Sequence, residues 1–185
     1  MIKDEIGVFG IDDAPFNKND KNCLIIGTYM RGNRIVDGVY FKKIEKDGLD
    51  STEKIIKMVI NGRHKTKIKV IFLDGITFGG FNIVNMYEIY ELTGIPVVSI
   101  MEKEPNYEKI YSAIKKYFDD WRERIELIES LPKPKKINDN TSYIQNIGID
   151  KNKVEDIIKK TRLRSKIPEC LRLSHLIGRG FLDID

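Results

Sequence analysis

Two short apolar runs near the middle of the chain constrain its fold more than any other feature. The first, IKVIFLD, covers residues 68–74, and the second, IPVVSI, covers residues 95–100. Runs that are apolar at nearly every position are typical of strands buried on both faces of a sheet. Between them, the segment from about Ile83 to Leu92 has the apolar content of a buried helix. A strand, a helix and a strand joined by short connections form a βαβ unit, so the two strands are expected to be parallel.

Three more strands are predicted ahead of this unit, at residues 6–12, 22–31 and 34–43. The pair Gly32–Asn33 is typical of a tight turn, so the second and third strands form a hairpin. A helix that opens with DGLDSTEKIIKMVI then leads to the βαβ unit. This order predicts an α/β fold of the ribonuclease H-like type: a five-stranded mixed sheet, a three-strand meander followed by the βαβ unit, flanked by helices. A flavodoxin-like sheet does not begin with hairpin strands and is the second choice.

The chain beyond the second buried strand is predicted to be mainly helical. One long helix is expected from Pro105, with an inner face made by Ile110, Ile114, Tyr117, Trp121, Ile125 and Ile128. Residues 142–148 fit a short strand or an extended segment. Further helices are predicted at Lys151–Thr161 and from near Pro168 onward.

The composition fits a globular protein. Hydrophobic residues make up 41% of the 185 residues and charged residues 32%, which predicts a single domain over residues 1–185. No apolar run approaches the roughly 18–20 residues that cross a bilayer, and no signal peptide is expected ahead of Asp4 and Glu5. Because Cys23 and Cys170 form no metal-type cluster, the sequence predicts a protein of the reducing cytoplasm without a membrane partner.

Positive charge is concentrated near the C-terminal end, although the formal net charge of the chain is only +4. Between Lys159 and Arg172, six basic residues accompany one acidic residue, Glu169. A solvated helix end explains such a run, and so does a patch that binds the phosphates of nucleic acid. The residues predicted to bind nucleic acid in this run are Lys160, Arg162, Arg164 and Lys166.

Aspartates end two predicted strands that are neighbours in a ribonuclease H-like sheet. Asp12 ends the first strand and Asp74 the fourth, so their carboxylates are expected within about 6 Å of each other at one sheet edge. Asp50, or Glu53 in its place, begins the first helix and is predicted as a third carboxylate. Clustered carboxylates repel one another unless a cation lies between them. We therefore predict a catalytic metal site of Asp12, Asp50 and Asp74, with Mg²⁺ or Mn²⁺ as the cofactor.

Each carboxylate also has a purely structural explanation. Aspartate is common in turns at strand ends, and Asp74–Gly75 is itself a turn signal. Asp50 followed by Glu53 is typical of a helix cap with its capping-box partner.

The remaining candidates are aromatic and histidine residues. The loop GITFGGFN lies between the fourth strand and the next helix, and its Phe78 and Phe81 either stack on a nucleobase or cover the core. The loop lacks the Lys-Ser/Thr pair of a phosphate-binding loop. His64 is predicted to be a solvated loop residue and His175 a structural residue of the last helix.

Four segments together resemble an uncharacterised archaeal family related to endonuclease V. They are FGIDDAPF, IFLDGITFGGFN, GIPVVSI and IPECLRLSHLI, and the likeness covers nearly the whole chain. Endonuclease V has a ribonuclease H-like fold and cuts nucleic acid near deaminated bases with a divalent metal. Its motifs Gly-Val-Asp, Leu-Val-Asp-Gly and Leu-Pro-Glu-Pro-x-Arg-Leu-Ala look like the segments that contain Asp12, Asp74 and Arg172. Arg172, inside this likeness, is expected to pair with a buried carboxylate.

The sequence departs from endonuclease V at three places. The glutamate at the start of the first helix has only Asp50 and Glu53 as counterparts, and the motif before it is absent. Gly148 is followed by Ile149 where the nuclease has Gly-His, and residues 77–82 replace the histidine-proline-arginine part of its strand-four loop. The resemblance therefore implies the metal site but not the specificity for inosine.

The leading prediction is an endonuclease V-like protein that binds DNA or RNA and hydrolyses a phosphodiester. One alternative is a non-catalytic nucleic-acid or nucleotide-binding module of the same fold. A protein-interaction domain, in which the aspartates serve only as turns, is the other.

Overall fold

The structure is a computed structural model that describes residues 2–137 and 142–181. The fold is built around one central sheet. Its first three strands are β1 (Gly7–Asp13), β2 (Asn22–Arg31) and β3 (Ile35–Glu45), which follow one another as an antiparallel meander. Helix α1 (Ser51–Ile60) leads through a short 3₁₀ turn into strand β4 (Val70–Asp74), which pairs with β1 in parallel. These elements confirm the predicted opening of the fold.

The rest of the chain extends the sheet on its other side. A small hairpin of β5 (Thr77–Phe78) and β6 (Asn82–Ile83) precedes helix α2 (Met86–Thr93) and strand β7 (Val97–Met101), which lies parallel to β4. Helices α3 (Tyr107–Tyr117) and α4 (Trp121–Ser130) follow. Strands β8 (Lys135–Lys136) and β9 (Tyr143–Ile147) then close the sheet, before helices α5 (Lys151–Thr161) and α6 (Glu169–Gly180).

The sheet has seven strands, in the order β3-β2-β1-β4-β7-β9-β8, so the prediction of five strands is corrected. The additional strands are β9, which the sequence left open between strand and extended segment, and the two-residue β8. Both pair antiparallel at the edge beside β7. A two-residue strand has no periodicity to detect, and it exists only because β9 offers it backbone partners.

The predicted long helix from Pro105 is two helices, which corrects that prediction as well. Phe118 ends α3 with an extended backbone, φ −130° and ψ 128°. Its ring packs against the ring of Phe81 and the guanidinium of Arg124. Tyr117, expected on the inner face, is 67% exposed. The tertiary contacts of Phe118 therefore outweigh the continuous helical pattern.

Two hydrophobic layers cover the two faces of the sheet. On one face, Phe9 and Ile11 of β1 pack with α1 and α2. On the other face, Val8 of β1 and Phe72 of β4 pack with α5 and α6. Because neighbouring residues of a strand point to opposite faces, Asp12 and Asp74 lie on the face that α6 covers. Within the described residues, no helix combines the length and the apolar character needed to cross a membrane.

Candidate metal centre

The close approach of α6 to β1 prepares the candidate site. A Cβ atom on Gly10 would lie 2.5 Å from the backbone nitrogen of Leu171, so only glycine allows this contact. One turn further along α6, the buried hydroxyl of Ser174 lies 2.9 Å from the carbonyl oxygen of Gly10 and 2.9 Å from Thr28 Oγ1. These contacts fix the helix over the strand that carries Asp12.

Three potential ligands meet at the end of the parallel strands. Asp12, Asp74 and His175 each offer one ligand atom, and these three atoms lie within 4.8 Å of one another. The expectation that the two aspartates lie close together is confirmed. His175 Nδ1 lies 2.9 Å from Asp12 Oδ2, so that a protonated Nδ1 donates to the carboxylate. Asp12 is 5% exposed, whereas Asp74 and His175 are open to solvent.

The electrostatics of the group favour a cation. Burial raises the pKa of Asp12 above its ordinary range, and the charges of Asp74 and Asp13 raise it further. The Asp13 N–H, 2.8 Å from Asp12 Oδ1, and the imidazole of His175 oppose this rise in pKa. The pKa of Asp74 is also raised, first by desolvation and then by the charges of Asp13 and Glu102, while His175 lowers it. A positive charge at this point would relieve the repulsion among the carboxylates.

The group opens into a small cleft of about 160 Å³. Glu102, which follows β7, and Arg172 of α6 line this cleft together with Asp74 and His175. Arg172 Nε lies 2.9 Å from the carboxylate of Glu169, which is 4% exposed. The expectation that Arg172 pairs with a buried carboxylate is thus confirmed, and the pair holds a guanidinium at the rim of the cleft.

The neighbouring Asp13 ties the site to the glycine-rich loop. Its Oδ2 accepts a hydrogen bond of 2.5 Å from the backbone N–H of Gly79. Asp47, at the far end of β3, accepts a second one of 2.9 Å from the N–H of Phe81. Asp13 of β1 and Asp47 after β3 therefore hold the glycine-rich loop against the edge of the sheet.

Asp50, predicted as the third carboxylate, does not belong to this group. Its Oδ1 accepts hydrogen bonds from the backbone N–H of Glu45, at 3.0 Å, and from Asn82 Nδ2, at 2.8 Å. Glu53, its predicted substitute, is ion-paired with Lys57 on the exposed side of α1. The prediction is corrected because both side chains have other partners, and Asp50 joins the end of β3 to strand β6.

The predicted base-stacking residues are also placed differently from the expectation. Phe78 is 1% exposed and belongs to the core, so its ring has no face open to a base. Phe81 packs edge to face on Phe118, with ring centroids 5.6 Å apart. The structural interpretation, in which these rings cover the core, agrees with both positions.

The basic run divides into anchored and exposed members. Lys160 Nζ lies 2.7 Å from Asp4 Oδ1 and donates to the carbonyl of Ile2. The half-buried Arg162 accepts a hydrogen bond at its carbonyl from Asn33. Arg164 and Lys166 are exposed in the connection between α5 and α6. Of these four residues, Arg164 and Lys166 have the exposure expected of a phosphate-binding surface.

His175 is a potential ligand that the sequence interpretation did not include. It lies four residues after Leu171, which is buried against β1, so both residues share one face of α6. A histidine one turn after a buried leucine, on the helix face that packs against the sheet, is the signal that could have identified it. The sequence suggested a structural residue, and the structure places this 51% exposed side chain in contact with Asp12.

The fold defines the class of protein. The chain has the fold of endonuclease V: it superimposes on endonuclease V of Ciona intestinalis bound to inosine-containing DNA with a TM-score of 0.61 at 11% identity, covering 96% of this chain and 86% of that one. Human endonuclease V gives a TM-score of 0.60 at 13% identity, covering 96% and 84%.

Within this class, the chain belongs to the Endonuclease dU family, whose model matches residues 4–182. A UPF0215 protein of Methanocaldococcus jannaschii is 60% identical over 184 residues, which are 100% of this chain and 98% of the relative. A crystal structure of a protein of unknown function from Archaeoglobus fulgidus has a TM-score of 0.88 at 33% identity, covering 95% and 97% of the two chains. The resemblance to an archaeal family related to endonuclease V is thereby confirmed.

Proposed function

We propose that the chain is a divalent-metal-dependent endonuclease that hydrolyses a phosphodiester bond of nucleic acid. The observation that carries this proposal is the meeting of Asp12, Asp74 and His175 within 4.8 Å at the end of parallel strands. Membership in the Endonuclease dU family supports it. In this proposal Asp12 and Asp74 keep their predicted roles, and His175 takes the place that was predicted for Asp50.

The three side chains fit a divalent cation. Carboxylate oxygens are the ligands that Mg²⁺ and Mn²⁺ prefer, and an imidazole nitrogen is accepted more readily by Mn²⁺. A bound ion of this kind orients a water and neutralises the charge that develops on a phosphodiester during hydrolysis. The residues of the chain supply the support: the Asp13 N–H orients the Asp12 carboxylate, and Ser174 fixes the helix that carries His175.

Two positive features are suited to the phosphates of a substrate. Arg172, held by Glu169, presents its guanidinium in the same cleft as Asp74 and His175. Arg164 and Lys166 are exposed before α6, and with Lys160 and Arg162 they form the basic run predicted to contact the nucleic acid backbone. We propose that the protein acts in the cytoplasm. The two buried free thiols of Cys23 and Cys170 agree with this proposal, because thiols stay reduced there.

The substrate class follows from the family. The matching family is described as endonuclease dU, and the superimposed endonuclease V of Ciona intestinalis is bound to DNA that contains an inosine. We infer that this chain, acting as one domain over residues 1–185, cuts a strand that contains a deaminated base. Deoxyuridine in DNA is the first substrate to test.

The decisive test combines strand cleavage with thermal melting for wild type and Asp74→Asn. The substrates are single- and double-stranded DNA and RNA, each with and without a deaminated base, in Mg²⁺, Mn²⁺ or chelator. We expect Asp74→Asn to abolish cleavage, because the amide keeps the shape of the side chain but lacks the charge that a hard cation needs. Without metal its melting temperature should rise, by about 2–4 °C for each kcal/mol of relieved repulsion.

Glu53→Gln is the matched control, since it removes one carboxylate charge from an exposed ion pair outside the group. It should cleave like wild type, and its free energy of unfolding should lie within about 0.5 kcal/mol of the wild-type value. If wild type cuts no substrate and its melting temperature does not rise with Mg²⁺ or Mn²⁺, the proposal of a metal-dependent enzyme is contradicted. Binding of nucleic acid without cleavage would favour the non-catalytic module.

A further inference from the structure

An exposed aromatic pair lies on the same face of the sheet as Asp12. It consists of Phe41 on β3, 45% exposed, and Phe181 directly after α6, 38% exposed. The two rings meet edge to face, with centroids 5.4 Å apart and an interplanar angle of 80°. Large apolar side chains in contact with each other and with solvent are candidates for a binding surface.

The register of the sheet fixes the position of this pair relative to the candidate metal centre. Asp12 of β1 is paired with Ile26 of β2, and Ile26 is paired with Phe41 of β3. Residues paired across strands lie on the same face, so these three side chains form one row. With about 4.8 Å between neighbouring strands, the backbone of Phe41 lies roughly 10 Å from that of Asp12.

Helix α6 runs along the same row. His175 contacts Asp12, a Cβ on Gly178 would lie 3.2 Å from Ile26 Cδ1, and Phe181 packs on Phe41. Three residues of helix rise about 4.5 Å, which nearly equals the spacing of the strands. From His175 beside β1, two steps of three residues along α6 reach Phe181 beside β3, so two steps separate the proposed metal ligand from the aromatic pair.

One basic side chain next to the pair supplies positive charge for a phosphate. Lys43 follows Phe41 by two positions, so it projects from the same face of β3, and it is exposed. Arg179, in the last turn of α6, is exposed at the same end of the helix, but two residues before Phe181 it projects to another side of α6. Aromatic rings next to basic side chains are the usual arrangement for single-stranded nucleic acid, in which bases stack on rings and phosphates contact the cations.

We propose that Phe41 and Phe181 form a stacking platform for an unpaired nucleobase of the strand that is cut at the metal centre. This inference rests on the proposed function and assigns to Phe41 and Phe181 the role that the sequence suggested for Phe78 and Phe81. A separation of roughly 10 Å corresponds to about three stacked nucleotides at 3.4 Å each. The platform thus holds a base about one to three nucleotides from the scissile phosphate.

The test is binding of single-stranded DNA that carries 2-aminopurine at successive positions, in the Asp74→Asn background so that no strand is cut. Phe41→Leu and Phe181→Leu keep apolar bulk but remove a ring. Each should weaken binding roughly 5- to 150-fold and leave the salt dependence unchanged, because no charge is lost. The quenching of 2-aminopurine at one position should disappear, and Phe41→Trp should restore both affinity and quenching.

The control is Tyr117→Leu, which removes an aromatic ring that is 67% exposed on α3. It should bind like the Asp74→Asn parent. Unchanged affinity in Phe41→Leu and Phe181→Leu overturns the platform while the proposed function stands. A dimeric Asp74→Asn parent whose Phe41→Leu and Phe181→Leu variants are monomers also overturns the platform. The rings would then pack against a second copy of the chain. A parent that binds no DNA or RNA removes the proposed function and the platform together.

Discussion

At the scale of single residues, His175 is expected to set which cation the proposed site prefers. Carboxylates alone are well suited to Mg²⁺, which takes oxygen ligands and keeps much of its hydration. The imidazole of His175 adds a nitrogen beside Asp12, at 2.9 Å from its Oδ2. Nitrogen ligands shift affinity toward transition metals. The site is therefore expected to bind Mn²⁺ more tightly than Mg²⁺.

We predict that His175→Ala weakens Mn²⁺ binding by about tenfold or more and Mg²⁺ binding by much less. The measurement is the rise in melting temperature as each ion is added, which converts to affinity by linkage. His64→Asn is not a suitable control because His64 is buried, and Glu53→Gln serves instead. Equal losses for the two ions would show that the imidazole positions Asp12 without binding the metal.

At the scale of elements, a buried histidine connects the end of α1 to the β2–β3 hairpin. His64 is 7% exposed, although the sequence suggested a solvated loop residue, so that interpretation is wrong. Its ring stacks on Tyr29 of β2, with centroids 4.4 Å apart, and its Nδ1 lies 2.6 Å from the hydroxyl of Tyr40 on β3. The polar residues around it in the sequence conceal these contacts, which only the hairpin provides.

This arrangement predicts that His64 contributes less to stability in mild acid. Burial lowers the pKa of His64, and the charges of Arg63 and Lys67 lower it further. Below the unfolded value of about 6.5, the unfolded chain binds a proton that the folded chain does not. The contribution of His64 to the free energy of unfolding should therefore fall as the pH drops from 6.5 to the lowered folded pKa, and no further below it. The raised pKa of Asp12 acts in the opposite direction, because the folded chain then binds a proton that the unfolded chain does not.

The measurement is urea unfolding between pH 7.5 and 5, for wild type and for His64→Phe combined with Tyr40→Phe. The double variant removes the titrating ring and its hydroxyl partner together, so no buried polar group is left alone. Relative to wild type, its free energy of unfolding should fall less, or rise more, as the pH is lowered from 6.5. Identical pH profiles would mean that His64 is protonated in the folded protein as readily as in the unfolded one.

At the scale of the whole molecule, much of the fold could be predicted because it follows from local periodicity. The runs at residues 68–74 and 95–100 are apolar because β4 and β7 are covered on both faces. The alternation in β1 places Asp12 on the α6 face, and the parallel order places Asp74 beside it. The two carboxylates could therefore be found from the sequence, and their proximity is confirmed.

The features that could not be predicted depend on contacts between distant segments. Asp50 has the position of a helix cap, yet it forms no cap hydrogen bond and binds Asn82 instead. The break at Phe118 depends on Phe81 and Arg124. His175 reaches Asp12 because Gly10 lets α6 approach β1, a contact across more than 160 residues of chain.

The central claim is that Asp12, Asp74 and His175 hold the ion that catalysis requires. Its most direct test is the anomalous diffraction of crystals soaked in Mn²⁺, for wild type and Asp74→Asn. We predict one anomalous peak within roughly 2–2.5 Å of oxygen atoms of Asp12 and Asp74 in wild type, and none in the variant. A peak away from both carboxylates, or no peak in crystals of a protein that nevertheless cuts DNA, would contradict the account.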